Sequence, residues 1–204
     1  MKKLTKTKKI IIAVVALVLC AATVLSIVLI QNSGHPLEKF ALKIMRKQNF
    51  QMDVLLSGIP IFGSVALTCE VDGNVQHIPG ATFVSEQYIE TVDGKRYTYT
   101  QDDSGKWIKT ESSADSGDML SNLQNSESFQ QLMNVENYEA VEGKKNVYRQ
   151  KDGVEFEGFK NVVITLEKDT CTIQMILYTG GMALETVILI SNIGKMDVTL
   201  PKVG

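Results

Sequence analysis

Few side chains in this chain of 204 residues could act together as acids, bases, nucleophiles or metal ligands. There are two histidines, His35 and His77, and three cysteines, Cys20, Cys69 and Cys171. The cysteines show no CxxC spacing and no His-rich partner set accompanies them, so no metal site is expected. The sequence contains no GxSxG, HExxH, Walker A or GxGxxG pattern, hence no nucleophile elbow, zinc helix or phosphate cradle. Asp102, Asp103 and Ser104 lack the terminal Glu of a calcium loop and read as a solvated turn. Glu86 and Glu90 fall on one face of a predicted strand, where alternating surface charge explains them. Tyr88, Tyr97, Tyr99 and Trp107 fit either an exposed aromatic face or ordinary cross-strand packing. His77 reads as a surface or core-edge residue. Binding is therefore expected rather than catalysis, with no enzyme activity, no cofactor and no metal.

The elements around these residues begin with an address. Residues 10–30, IIIAVVALVLCAATVLSIVLI, carry no charge, and their polar side chains are Thr23 and Ser26. At ~1.5 Å of rise per residue such a helix spans a bilayer's ~30 Å apolar core, which predicts a transmembrane signal-anchor. Residues 1–9 precede it with five lysines and no acid. Flanking Lys favours the cytoplasmic side, so residues 1–9 are expected inside and the rest outside. The rival is a cleaved signal peptide and a secreted product, but the apolar run is long for one and Leu-Ile-Gln-Asn-Ser is a poor cleavage context. Cys20 lies mid-span after Leu19, unlike a lipidated cysteine, and reads as a thiol facing lipid or a neighbouring helix.

Five of the 21 Lys and Arg, and none of the 23 Asp and Glu, lie in the first 30 residues, so the remainder carries a net charge of −7. That excludes a general nucleic-acid binder, which needs a basic face, and argues against adhesion to anionic lipid by bulk charge. A spacer at 31–35 leads into residues 36–204, enough for one domain with a sizeable core. Cys69 is in phase with Val65, Leu67 and Val71, and Cys171 with Ile173, Met175 and Leu177. A Cys69–Cys171 disulfide and two separate buried thiols are equally compatible with that phasing.

Pro36 opens an amphipathic helix with Leu37, Phe40, Ala41 and Ile44 at helical spacing, capped near Ser33 or Gly34. The period then changes to two. Strands are expected in FQMDVLLSG, in GSVALTCEVDG, near Val75–Ile78, from Thr82 to Val92, in KRYTYTQ and in KWIKTE, with Asp93-Gly94 a hairpin turn. Two short helices are expected in DMLSNL and SESFQQLMN, with Ser126 capping the second. Strands resume in KKNVYRQK, NVVITLEKD, TCTIQMILYTG, ALETVILIS and the terminal KMDVTLPKVG. In ALETVILIS, Val187 and Leu189 oppose Leu184, Ile188 and Ile190, so that strand should meet apolar surroundings on both faces. Short turns join consecutive strands, so the sheet should be mostly antiparallel.

A helix, a meander returning through Gly-Lys-Trp-Ile-Lys-Thr, a helical insert, a second meander and a terminal Val-Thr-Leu-Pro resemble the lipoprotein-carrier superfamily of LolA, LolB, RseB and LppX-type proteins over residues 36–201. The resemblance implies an α+β fold: a large curved, mostly antiparallel sheet, a half-barrel, covered by helices on its concave face, with an acyl chain between the layers. The expected lining is Phe50, Met52, Val54, Leu67, Met119, Leu123, Phe129, Met133, Ile173 and Met175, Met being well suited to adaptable apolar pockets. The function this implies is a membrane-anchored extracytoplasmic protein that holds or transfers a lipid or acyl-chain ligand in a cell envelope. The alternative is an anchored sensor or interaction ectodomain, with an envelope protein as partner and a filled core. An uncleaved anchor predicts that the mature protein retains residues 1–30, which intact-mass measurement of the membrane-extracted chain checks; loss of that segment would indicate a secreted product.

Overall fold

Alternation of apolar and polar residues over most of the chain produces one sheet. The computed structural model describes residues 34–60, 63–81, 84–112, 134–156, 158–179 and 181–204. Helix α1 (Pro36–Lys47) is followed by β1 (Asn49–Ile59), β2 (Gly63–Asp72), β3 (Val75–Ile78), β4 (Gln87–Val92), β5 (Lys95–Gln101) and β6 (Trp107–Ser112). After a 3-10 turn at Val135–Asn137 come β7 (Tyr138–Ala140), β8 (Val147–Gln150), β9 (Phe159–Leu166), β10 (Cys171–Thr179) and β11 (Met182–Ser191). Among the described residues all eleven strands form a single sheet in the order β6-β5-β4-β3-β2-β1-β11-β10-β9-β8-β7. Every pairing in it is antiparallel. Two meanders thus run outward from a seam where β1 meets β11. The Asp93-Gly94 turn has positive φ at both residues, 50° and 75°, as a two-residue hairpin with right-twisted strands requires.

The strand register sorts side chains into two faces. On the inner face, Cys69, Met52, Ile190, Cys171 and Leu166 form one continuous row from β2 to β9. The next row is Leu67, Val54, Ile188, Ile173 and Ile164. Most of these side chains are under 9 % exposed, with Ile173 half-buried, and they belong to one apolar cluster that extends from Ile89 in β4 to Tyr138 in β7. Helix α1 adds Leu37, Phe40, Ala41 and Ile44 to that cluster. Its first turn starts at His35, whose Nδ1 accepts from the Leu37 N–H at 3.3 Å, and Pro36 follows at the first helical position. The cap is therefore His35 rather than Ser33 or Gly34. Gln48 ends the helix in the left-handed conformation, with its N–H on the Ile44 carbonyl at 2.7 Å.

Several expectations require correction. The fold is sheet-dominated and is not an α+β half-barrel roofed by helices: among the described residues, α1 and one 3-10 turn are the helical elements. A 12-residue helix is ~18 Å long, whereas eleven strands at ~4.8 Å spacing make a sheet ~48 Å wide. It covers part of the inner face only. The two helices expected within residues 118–134 lie almost wholly outside the described residues. No helix among the described residues is long and apolar enough to cross a membrane, and the expected span at 10–30 lies outside them too. The expected strand at Thr82 begins at Gln87. Tyr138–Ala140, which no expected strand included, form β7, while the terminal KMDVTLPKVG, expected as a strand, joins no strand pairing. Strand β11 does not meet apolar surroundings on both faces as expected: on the outer face Leu189 lies between Thr172 and Asp53, and Val187 between Gln174 and the 42 % exposed Leu55.

The disulfide alternative is also resolved. Both Cys69 and Cys171 are free and buried. They share a row but stand three strand spacings apart, ~14 Å along the sheet, twice the largest separation a disulfide bridges. Burial pushes each thiol up to about 12, so almost no thiolate exists at pH 8. In a Cys20→Ser chain, neither thiol is expected to react with an aromatic disulfide reagent at pH 8 until denaturant is added, when both react. Native reactivity, or a mass two daltons below the dithiol form, would contradict this placement.

Candidate functional site

The outer face of β2–β6 gathers the titratable and aromatic residues. The turn at Asp72-Gly73-Asn74 sets Glu70 opposite His77, and the following pairings extend this into a row: Glu70, His77, Tyr88, Tyr99, Lys109. The neighbouring row is Asp72, Val75, Glu90, Tyr97, Glu111. Single-residue alternation places both on the side opposite the apolar core.

His77 is the centre of the first row. Its Nδ1 lies 2.6 Å from Glu70 Oε2 and its Nε2 lies 3.0 Å from Glu86 Oε1, so both ring nitrogens face carboxylates. The ring stacks on Tyr88 at 4.2 Å with 14° between planes. Tyr88 in turn meets Trp107 edge-on at 5.3 Å and donates its hydroxyl to Glu86 Oε1 at 3.3 Å. Burial, then the Glu86 charge, raises the Tyr88 phenol above its ordinary value. With both nitrogens engaged, His77 positions the Glu86 end of the β3–β4 connection against the sheet and has no free nitrogen to serve as a base.

Glu90 is the centre of the second row. Its Oε2 accepts from the Tyr99 hydroxyl at 2.7 Å and from Lys109 Nζ at 3.0 Å. The Lys109 ammonium also lies 4.1 Å from the Tyr97 ring centroid and 5.1 Å from that of Tyr99, a cation–π arrangement. Hydrogen bonds from Tyr99, then Lys109, hold the Glu90 carboxyl below its ordinary value. Lys95 and Glu111 pair at 3.3 Å on the rim. Asp102 is occupied in closing the β5–β6 turn, accepting from the Ser104 N–H, the Ser104 hydroxyl and the Lys106 N–H.

The expected ligand lining falls on the opposite face. Phe50, Met52, Val54, Leu67 and Met175 are at most 5 % exposed and belong to the apolar core, with Ile173 half-buried against it. Met119, Leu123, Phe129 and Met133 lie outside the described residues. One inner-face group stands out: the Gln76 Oε1 atom, beside Val71 and Ile89 in register, is buried with no hydrogen-bond partner among the described residues. Sequence reasoning singled out Glu86, Glu90, His77, the tyrosines and Trp107 separately. It missed Glu70, although counting back from the Asp72-Gly73-Asn74 turn finds it opposite His77. It also missed Asn49 and Asp72, whose role depends on contacts across the whole chain. No protein-family model matches the chain, and no curated protein matches it.

A lowered carboxyl contributes stability that is present above its unfolded value and lost as pH falls through its folded one. Acid titration below about pH 4.5 should therefore destabilise the domain less in Glu90→Gln than in the parent. Tyr99→Phe should cost about 1 kcal/mol at pH 7. Denaturant melts at pH 3 and pH 7 check both, and equal pH dependence in parent and Glu90→Gln would contradict the assignment.

Proposed function

We propose that this chain is a non-enzymatic recognition ectodomain held at the outer face of a cell membrane, with a filled core and a protein partner met by the outer face of β2–β6. The observation that carries it is the division of labour between the faces. Five side chains suited to an acyl pocket are instead packed under 6 % exposure. The polar and aromatic groups converge on the other side in two cross-strand rows. The aromatic rings offer the large contact area that interfaces favour, and the carboxylates and Lys109 that hold them add directional polar contacts. The uncharged stretch at 10–30 and the lysines before it support tethering, with the acidic remainder outside.

A second reading, an acyl chain or other lipid held at the inner face, is favoured by one observation. The buried Gln76 Oε1 would accept from a headgroup hydroxyl, and a buried acceptor left unpaired costs ~1–3 kcal/mol. The two readings separate on one measurement. Full-length chain in detergent, titrated with radiolabelled palmitate, is expected to show no saturable binding. One equivalent bound in the parent, and lost in Leu67→Trp, would establish the lipid reading instead.

A further inference from the structure

The last ten residues are held as a peptide ligand would be. After β11 the chain turns at Gly194, whose N–H donates to the Asn49 carbonyl at 2.7 Å. Residues 195–204 then run without joining any strand. Asn49 grips the first of them through its side chain: Oδ1 accepts from the Met196 N–H at 2.7 Å and Nδ2 donates to the Met196 carbonyl at 2.8 Å. One carboxamide thus reads both backbone groups of one residue, a contact independent of that residue's side chain. The same Nδ2 donates to Asp72 Oδ1 at 2.7 Å, and Asp72 Oδ2 accepts from the Val198 N–H at 3.3 Å. At the far end the Gly204 N–H reaches the Trp107 carbonyl at 3.4 Å.

These anchors fix the path. From Val198 to Gly204 an extended chain reaches ~20 Å, and from β2 to β6 is four strand spacings, ~19 Å. Trp107 also lies four residues along β6 from Glu111, which shares Asp72's row, so the segment must cross β3, β4 and β5 obliquely and close to full extension. Asn49 and Asp72 project on the outer face, so the crossing is on that side. Tyr99, on the outer face of β5, is only 4 % exposed, in keeping with a covered face there. Met196, Val198, Leu200 and Pro201 are half-buried while Asp197 and Thr199 are exposed. The alternation is that of an extended peptide with one side against a surface.

We infer that the outer face of β1–β6 is a docking groove for an extended polypeptide with apolar residues at alternate positions, and that residues 195–204 occupy it in cis until a partner's segment of the same pattern replaces them. Asn49 and Asp72 read the incoming backbone, and the Trp107 carbonyl receives an N–H six residues beyond Val198. The contacts to be broken are few and only partly buried. Releasing the strap leaves the β1–β11 seam intact, because its register ends at Ser191. The inference rests on the outer face being the recognition surface. Palmitate binding at the inner face, which would overturn that reading, leaves the tail's exchange and its docking unaltered, so the two failures are distinguishable.

Hydrogen exchange on the full chain is the first test. The Met196, Val198 and Gly204 amides should exchange at least tenfold faster than those of β1 and β11, and Asn49→Ala should speed them about tenfold further without changing the β1 and β11 amides. Trp107 is the chain's one tryptophan, so its emission reports docking directly. Deleting residues 195–204 should shift that emission to longer wavelength while the far-ultraviolet dichroism persists. A synthetic peptide of residues 195–204 should restore it saturably, and Asn49→Ala should weaken that restoration at least tenfold. Tail amides that exchange only with global unfolding, a truncated chain that does not fold, or a folded one whose emission the peptide leaves unchanged would each overturn the inference. So would a concentration-dependent dimer of the full chain that truncation abolishes, because the groove would then hold a second copy's tail.

Discussion

The antiparallel pairing of β1 with β11 is the contact on which the rest of the structure depends. It joins residues near the start of the domain to residues near its end, from Gln51 opposite Ser191 to Ser57 opposite Glu185. Each half of the sheet is otherwise a local meander whose turns specify its own pairings. Without the seam there would be two narrower sheets, each with an apolar face and an extra unpaired edge. With it, the Cys69-Met52-Ile190-Cys171 row becomes continuous, and the core is shared between the halves. Period-two geometry makes the register strict, because a one-residue slip would turn Met52, Val54 and Leu56 outward and bury Asp53.

That strictness also produces the chemical asymmetry of the faces. Once the inner face is committed to burial, every intervening residue is committed to the other side. Glu70, His77, Tyr88, Tyr99 and Lys109 occur on different strands, yet pairing makes them consecutive neighbours. The carboxylates sit where a donor is within reach: Glu70 and Glu86 at His77, Glu90 at Tyr99 and Lys109. The face is therefore ordered by its own contacts, an arrangement that would lower the entropic cost of any recognition there.

Much of this was legible in the chain's periodicity. Phe50, Met52, Val54 and Leu56 announced β1 by alternation, Asp93-Gly94 announced its hairpin, and Leu37, Phe40, Ala41 and Ile44 announced α1. Where reading failed, the missing information was non-local. The tail alternates as a strand does, but Met196 bonds a side chain, Asn49, where a strand would bond another strand's backbone. Tyr138-Glu139-Ala140 is too short to show a period, and it becomes a strand because Arg149 and its neighbours in β8 pair with it. Phasing placed Cys69 and Cys171 correctly on the buried side. It could not supply the two strands between them, β1 and β11, which keep the thiols apart.

The seam also sets the order in which the protein can be made. Strand β1 is complete at residue 59, and the strand that pairs with its second edge begins at residue 182. At ~5–20 residues per second of synthesis, that edge stays unpaired for on the order of ten seconds. It is a long edge, apolar on its inner side and bearing Leu55 on the other, the kind of template that invites pairing with the wrong chain. The N-terminal meander must therefore persist as a half-sheet until the last strand arrives. Folding is bound to the tempo of synthesis, and the pairing that completes the native sheet is among the last to form.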